Sequence, residues 1–469
     1  MKTSKVKVKN QFSKDTDKKG KKPNIIFILT DDQGYGDMSF HGNPKLKTPN
    51  MDALALESVR FTDFVVSPTC SPSRAALLTG MHEFRTGVTH TRTGRSNMDL
   101  NAVTIGDLLL SAGYRTGFFG KWHTGESGKY RPEHRGFEVA LTGKNYHNHF
   151  DPVLIRNGVE EQHKGHRTQL LFDEAINFIE THKDEAFFCH LATYVPHDPL
   201  VAPEKYAQMY DGDHFLGMVA CLDDHLGRLL ARLKELELEK NTLIIFMNDN
   251  GATYGADIWN AGMRGVKTTS WYGGTRAYSF WRWPETFESG EVKALTGNID
   301  LLPTLAEIAE VKIPEEVQEK LDGKSLLPLL KDHSAPWDDR TLFIHVGRWN
   351  DGEVKGHKYI QCGVRYNQYC LTKISSCNKP ETCMAECKVF DDVSQGKPGY
   401  YSKINHKFHY AFTPNQDWAL YDITSDLPQK KNIADKHSEL VKNLIDKYEE
   451  WWKEVYPIIK ESKLLPDNE

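Results

Sequence analysis

Four groups of reactive side chains are spread along the 469 residues: Asp31-Asp32, Lys121-Trp122-His123, Pro196-His197 and Asp249-Asn250. Each lies beyond the carboxyl end of a short apolar run, at 24–29, 117–119, 186–189 and 243–247. The runs do not alternate with polar residues, which is the pattern of strands buried on both faces. In open α/β sheets, ligands bind beyond the carboxyl ends of the strands, so the four groups are expected to converge on one site. Asp31, Asp32, Asp249 and Asn250 offer only oxygen ligands, the set for Ca²⁺ or Mg²⁺ rather than zinc. Neighbouring strand residues point to opposite faces, so Asp31 and Asp32 can share an ion only where the strand ends, and Gln33-Gly34-Tyr35-Gly36 supplies that turn.

A fifth reactive group, Cys70, opens a segment that reads as a helix start, with Ser71 at the cap, Pro72 in the first turn and Gly80 as terminator. A cysteine there sits at the positive end of a helix, which welcomes anions and lowers a thiol's pKa.

The elements that must position these groups are helical patterns at 104–112, 168–182 and 214–236, falling between the apolar runs. Strand–helix alternation predicts a mostly parallel sheet with helices on both faces. Beyond Leu330 the pattern changes to short β segments at 341–346, 359–364 and 369–373, followed by an amphipathic helix at 439–455 that carries Trp451 and Trp452. The expected organisation is a basic disordered tail at 1–22, an α/β catalytic domain at 23–335 and a smaller α+β domain at 336–469.

Composition narrows the function. Lys+Arg 59 against Asp+Glu 64 leaves a net charge of −5, unsuited to holding a nucleic-acid backbone. The tail holds nine Lys and two Asp with almost no large apolar residues. No run of about eighteen apolar residues occurs, so neither a spanning helix nor a membrane partner is expected. The start also lacks the apolar core of a signal peptide. A periplasmic or extracellular setting is expected with a leader removed before this numbering begins, the cytoplasm being the alternative. Five of the eight cysteines, Cys362, Cys370, Cys377, Cys383 and Cys387, crowd one span without a Cys-x-x-Cys pair, which argues for disulfides rather than a zinc ribbon.

Pro68-Thr69-Cys70-Ser71-Pro72-Ser73-Arg74 with Leu77-Leu78-Thr79-Gly80 resembles the first signature of the type I, formylglycine-dependent sulfatases of the alkaline phosphatase superfamily. Gly113-Tyr114-Arg115-Thr116 leading to Gly120-Lys121-Trp122-His123 resembles the second. The likeness continues through Asp31-Asp32, Pro196-His197-Asp198-Pro199, Asp249-Asn250-Gly251, Arg264-Gly265-Val266-Lys267, Gly273-Gly274-Thr275-Arg276, Asp300-Leu301-Leu302-Pro303-Thr304 and Leu420-Tyr421-Asp422. It departs at Tyr272-Gly273-Gly274 and Arg276-Ala277-Tyr278, where relatives often have Trp-Glu-Gly-Gly and Arg-x-Pro.

The resemblance implies an alkaline-phosphatase-like fold and hydrolysis of sulfate esters. It implies that a maturation enzyme reading Cys-x-Pro-x-Arg converts Cys70 to formylglycine. One hydroxyl of the hydrated aldehyde would attack sulfur, and the other would collapse and expel sulfate by C–O cleavage. The resemblance favours Ca²⁺ over Mg²⁺, held by Asp31, Asp32, Asp249, Asn250 and modified Cys70. Arg74 and Lys121 would hold the diol and the developing oxyanion, and His123 would take the hydroxyl proton. His197 and Lys267 would bind sulfate oxygens, one of them protonating the leaving alcohol.

Candidate subsite residues are His90, Arg92, His134, His147, His149, His345, Arg348 and Trp349, of types that suit a sulfated sugar. The expected substrate is a sulfated oligo- or polysaccharide, for example an algal galactan of the carrageenan kind. Two rivals stand beside this reading: a phosphonate or phosphate ester hydrolase of the same superfamily, and a catalytically silent glycan-binding relative.

Overall fold

A strand with apolar residues on both faces is stable only between two layers, and the four unbroken runs occupy that position. In the computed structural model, which describes residues 22–377, 379 and 415–465, they become β1 (Asn24–Thr30), β3 (Arg115–Gly120), β7 (Phe187–Ala192) and β8 (Thr242–Asn248). These are the contiguous middle of the large sheet, in the order β8-β1-β7-β3, and every pairing among them is parallel.

Around them lie β2 (Val59–Val65), β4 (Val139–Gly143), β5 (Val153–Arg156), β6 (Val159–Gln162), β9 (Arg276–Arg282), β10 (Gly290–Val292) and β11 (Thr296–Gly297). The complete order is β10-β2-β9-β8-β1-β7-β3-β4-β5-β6, with β11 also on β2. Strand β9 runs antiparallel to both β2 and β8, and β4, β5 and β6 form an antiparallel edge.

Alternation along β1 divides the interior into two cores. Ile25, Phe27 and Leu29 pack with α2 (Cys70–Thr79), α3 (Ile105–Ser111) and α6 (Leu301–Ile308). Ile26 and Ile28 pack on the other face with α1 (Pro49–Leu56), α4 (Arg167–Thr181) and α5 (His214–Glu235). The period of two places each helix layer, giving the sandwiched α/β sheet predicted from the sequence.

The second sheet is antiparallel, β12 (Thr341–His345), β13 (Cys362–Tyr366), β14 (Tyr369–Ile374) and β15 (Asn415–Asp422) in that order. Strand β13 begins three residues later than the expected 359–364, because residues 354–357 form a 3-10 turn. Helix α7 (Ser438–Ile459) buries Tyr448, Trp451 and Trp452 against this sheet. Trp451 also stacks on Phe84 of the first unit, with centroids 5.8 Å apart. One ion pair crosses between the sheets, Arg365 Nη2 to Asp63 Oδ2 at 2.8 Å, and a second, Arg340 Nη1 to Asp300 Oδ2 at 2.7 Å, joins the residue before β12 to the turn after β11.

The disulfide expectation needs correction for two of the five crowded cysteines. Cys362 and Cys370 are buried free thiols, because the β13/β14 register sets Cys362 opposite Lys373 and Cys370 opposite Arg365. Cys383, Cys387 and residues 1–21 lie outside the described residues. Among the described residues, no helix is long and apolar enough to cross a membrane.

Candidate active site

The carboxyl ends of the four central strands deliver their side chains to one place. Strand β1 ends at Thr30, and Asp32 then takes a left-handed φ of 65°, which turns the second carboxylate toward the first. A non-glycine residue held there is a local cost that the surrounding bonds must offset. Those bonds are present: the Asp32 N–H donates to Asp249 Oδ1 at 3.3 Å, and Asn250 Nδ2 donates to Asp32 Oδ1 at 2.9 Å. Strand β3 ends at Gly120, with φ 123°, where a Cβ would lie 1.7 Å from the Ala192 carbonyl oxygen of β7. Only glycine allows that approach, and the next residue is Lys121.

Helix α2 starts at Cys70 itself, capped by extended Thr69 rather than by Ser71, while Gly80 in the left-handed region ends it as expected. Cys70 Sγ lies 3.9 Å from Asp32 Oδ1. The helix start does not lower this thiol. Burial outweighs Lys121 and Lys267 and pushes Cys70 up to about 11, so it is a protonated, weakly nucleophilic group at neutral pH.

One helical turn on, Arg74 Nε and Nη2 donate to Asp249 Oδ2 at 3.0 and 2.8 Å, and Nη1 donates to the Lys121 carbonyl at 2.5 Å. Lys121 Nζ donates to Asp31 Oδ2 at 2.7 Å. Lys267 Nζ reaches both oxygens of Asp32, at 2.7 and 2.8 Å. Burial alone would raise the Asp31 carboxyl, but Lys121, His197, Arg74 and Lys267 together hold it well below the usual range. Asp32 is lowered in the same way against burial, chiefly by Lys267 and His197. Asp249 goes the other way, up to about 6, because burial exceeds the pull of Arg74.

Burial lowers the pKa of both site histidines, and they differ in which ring nitrogen is tied to a carbonyl. His123 Nε2 lies 2.9 Å from the Thr91 carbonyl oxygen, which has no proton to give, so Nε2 carries the hydrogen and Nδ1 the lone pair. Nδ1 is buried with no hydrogen-bond partner among the described residues. Burial, with Lys121 and Arg74, keeps the ring well below its ordinary pKa and therefore neutral. His197 Nδ1 donates to the Asp198 carbonyl at 2.7 Å, which leaves Nε2 toward the site, 3.7 Å from Asp32 Oδ2.

Ligand atoms of Asp31, Asp32, Cys70 and His197 lie within 4.8 Å of one another. Asp31 Oδ1 and Asn250 Oδ1 are buried without a hydrogen-bond partner among the described residues, so two oxygens remain for a hard cation. Arg74, Lys121 and Lys267 balance Asp31, Asp32 and Asp249. A divalent ion would leave the constellation positive and attractive to an anionic ester. The donor set fits such an ion.

Comparison with known proteins settles the family. The family described as Sulfatase matches residues 23–311, and that described as N-sulphoglucosamine sulphohydrolase, C-terminal, matches residues 274–382. The chain belongs to the sulfatase family. That family is the formylglycine-dependent one of the alkaline phosphatase superfamily, and its members are sulfuric ester hydrolases.

The chain is 32% identical to human arylsulfatase A over 80% of each sequence. It is 28% identical to mouse arylsulfatase J, over 93% of this chain and 77% of the relative. Among solved structures it is similar to Ps i-CgsB in complex with k-i-k-neocarrahexaose, with a TM-score of 0.78, 27% identity and 95% of each chain covered. The phosphonate monoester hydrolase of Agrobacterium radiobacter, at 19% identity and a TM-score of 0.62, shares the fold.

The sulfatase treats the candidate subsite residues unequally. His345 is buried, with Nε2 on the His357 carbonyl and Nδ1 accepting from the Gly347 N–H, so both ring nitrogens serve the core. Trp349 is fully buried under Arg95 and against Phe84, which removes it as a sugar platform. His134 is exposed on the segment leading to the amino end of β4, away from the carboxyl ends that carry the site.

Arg348 does approach the site, since its Nη2 donates to Thr91 Oγ1 at 3.2 Å and Thr91 also receives His123. His90 is buried next to it and accepts from the Arg92 N–H at 3.1 Å, while the Arg92 side chain is exposed. His147 is exposed and His149 buried on the loop after β4.

That loop also holds a residue the sequence reading missed. The ring of Tyr146 lies 5.4 Å from that of His123 and 5.6 Å from Lys121 Nζ. Glu126, also missed, accepts the His123 N–H at 2.9 Å. Its offset of three residues from His123 is one at which a side chain can return to the backbone, so a signal existed. For Tyr146 there was none.

Proposed function

We propose that this sulfatase hydrolyses sulfate esters of a sulfated carbohydrate, of the galactan kind, with Cys70 oxidised to formylglycine and Ca²⁺ held by Asp31, Asp32, Asp249 and Asn250. The observation that carries the reading is the meeting of Cys70, Asp31, Asp32 and His197 ligand atoms within 4.8 Å, with Lys121 and Lys267 on the two carboxylates. A protonated thiol is a poor nucleophile, so a helix-start residue in this setting gains reactivity by becoming an oxygen nucleophile. When bound, the cation would neutralise charge on the sulfate oxygens and lower the pKa of a coordinated hydroxyl.

The remaining work falls to the chain. Lys121 and Lys267 supply ammonium groups for sulfate oxygens. Arg74 holds Asp249 and the Lys121 backbone in register. Neutral His123 takes the proton of the residue-70 hydroxyl on Nδ1 while Nε2–H stays on Thr91. His197, anchored through Nδ1, presents Nε2 to the leaving alcohol; the neutral ring that burial favours has no proton there, so it acts as the acid only in its imidazolium form, which Asp32 and Asp31 stabilise.

The carbohydrate assignment is supported by the coverage of Ps i-CgsB, which was solved with k-i-k-neocarrahexaose. Sulfated galactan oligosaccharides, simple aryl sulfates and phosphonate esters, assayed in parallel with peptide mass analysis of the Cys70 segment, test the whole reading. Preference for phosphonates overturns it, and so does a Cys70 that is only thiol in active protein.

Two expected results follow from the roles. His197→Ala lowers kcat about 10²-fold or more on an alkyl or sugar sulfate but much less on an activated aryl sulfate, because only the poor leaving group needs a proton. Equal losses on both would make His197 a binding group alone. Treatment with a strong chelator lowers turnover about 10²-fold, and added Ca²⁺ restores it. Undiminished turnover in chelator, with metal analysis showing no bound ion, would remove the cation from the site.

A further inference from the structure

Beside His123 stands a carboxylate that the reaction above does not use. Glu126 sits on an exposed turn made possible by Gly125, with φ 116°, where a Cβ would come 2.3 Å from Tyr130 Cβ. Its Oε1 accepts two bonds, from the His123 N–H at 2.9 Å and from the Tyr146 hydroxyl. Tyr146 is fixed from behind: Arg167 Nη1 and Nη2 donate to the carbonyls of Asn145 and Tyr146 at 2.8 and 2.7 Å. Arg167 in turn lies 3.8 Å over the ring of Tyr194, whose hydroxyl donates to the Gly120 carbonyl at 3.1 Å. The same buried framework therefore sets the end of β3, which carries Lys121 and His123, and the Tyr146–Glu126 pair facing them.

A carboxylate beside groups assigned to an anionic ester needs a physical account. It repels the sulfate that Lys121 attracts, and it can only accept hydrogen bonds. Both bonds observed on the side chain fall on Oε1, which leaves Oε2 as the oxygen for a ligand donor. The residue keeps exposed surface, and although burial of the carboxyl raises its pKa, the Tyr146 hydroxyl, the His123 N–H, Arg131 and Lys121 all favour the charged form. The groups on a sugar that donate are its hydroxyls. The groups that Glu126 opposes are further sulfates or carboxylates.

We infer that Glu126, held by Tyr146, is a specificity-determining residue that accepts a free hydroxyl of the sugar next to the scissile sulfate and rejects a second anionic group there. The inference rests on the proposed sulfatase reading of the site and narrows its substrate class. Attraction to a neutral donor and repulsion of a wrong anion come from one side chain, as discrimination between related ligands often requires.

The test uses the full, matured chain on three substrates: an aryl sulfate with no ring hydroxyl, a monosulfated monosaccharide with a free neighbouring hydroxyl, and its disulfated analogue. Glu126→Gln keeps an oxygen for the His123 N–H and the Tyr146 hydroxyl but removes the charge. The expected result is a fall of about 10-fold or more in the ratio of kcat/KM for the monosulfated sugar over the aryl sulfate, with a rise in the ratio of disulfated over monosulfated sugar. Glu126→Ala shifts both ratios in the same directions on top of a loss common to all three substrates, since it also frees the His123 backbone. Ratios unchanged in both variants, whatever the common loss, would reduce Glu126 to a positioning residue and overturn the inference while leaving the sulfatase reading intact. A parent enzyme inactive on every sulfate ester would sink both.

Discussion

Cys70→Ala is expected to lower kcat/KM by ~10⁴-fold or more on every sulfate ester while leaving the fold largely in place. The reason lies in what alanine removes. Cys70 is the first residue of α2 and fully buried, but no hydrogen bond shorter than 3.9 Å ties its Sγ to the site, so deleting sulfur leaves a small void beside Asp32 and little else. Thr69 makes no side-chain capping bond that the change could disturb, and alanine is a good helix former. What is lost is the atom proposed to become the nucleophile, while among the described residues Lys121, Lys267 and Arg74 are all held on carboxylates. Single-turnover kinetics with an aryl sulfate measure the loss, and a thermal midpoint close to the parent's excludes unfolding as its cause. Substantial residual turnover would show that another group attacks sulfur.

The central fold was legible because β1, β3, β7 and β8 are buried on both faces, and an unbroken apolar run leaves few alternatives. Strands on the flanks carry no such mark. β2, Val59–Val65, mixes Arg60, Thr62 and Asp63 with Phe61 and Phe64, and β9 runs antiparallel among otherwise parallel neighbours. Both are defined by the partners they meet rather than by their own pattern. In the second sheet, Cys362 and Cys370 read as disulfide candidates by spacing, but register sends them to different partners, and register is set by pairing across the sheet.

The site was legible to the extent that its side chains sit at strand ends or in dense motifs. Asp31, Asp32, Lys121, His123, His197 and Asp249 follow the carboxyl ends of central strands, and geometry brings them together. Sequence said less about electrostatic state. A cysteine at a helix start suggests a lowered pKa, yet the helix terminus competes with complete burial, and burial wins. Residue type also misled at His345 and Trp349, whose polar or aromatic character suggested sugar contacts while their neighbours Phe84 and Trp452 drew them into the core. Glu126 carried only its three-residue offset from His123 as a signal, and Tyr146 lacked any signature because its importance is relational: it matters through the face of His123 it touches.

The second large effect is expected at Asp249, where activity and stability fall together for separable reasons. Its carboxylate is wholly buried, takes Arg74 at 2.8 and 3.0 Å, and accepts the N–H of strained Asp32 at 3.3 Å. Removing it by Asp249→Ala strands the guanidinium of Arg74, itself 2% exposed, without its main counter-ion. Breaking one side of a buried pair costs about 3–5 kcal/mol, most of it for the charge left behind. The same change deletes a proposed cation ligand and one restraint on Asp32, so turnover should drop by about 10³-fold or more.

Asp249→Asn separates the two effects. It keeps the shape but not the charge, and its single oxygen can accept from Arg74 or from the Asp32 N–H, which use different oxygens of Asp249, but not from both, so denaturant midpoints should lie between those of the parent and the alanine variant. Calcium affinity and turnover in the asparagine variant should stay close to those of the alanine variant. Full activity in Asp249→Asn would show that the charge of residue 249 is not needed at the site. Parent-like stability in Asp249→Ala would show that Arg74 finds another partner, and among the described residues Asp31 Oδ1 lies 3.7 Å from its Nη2.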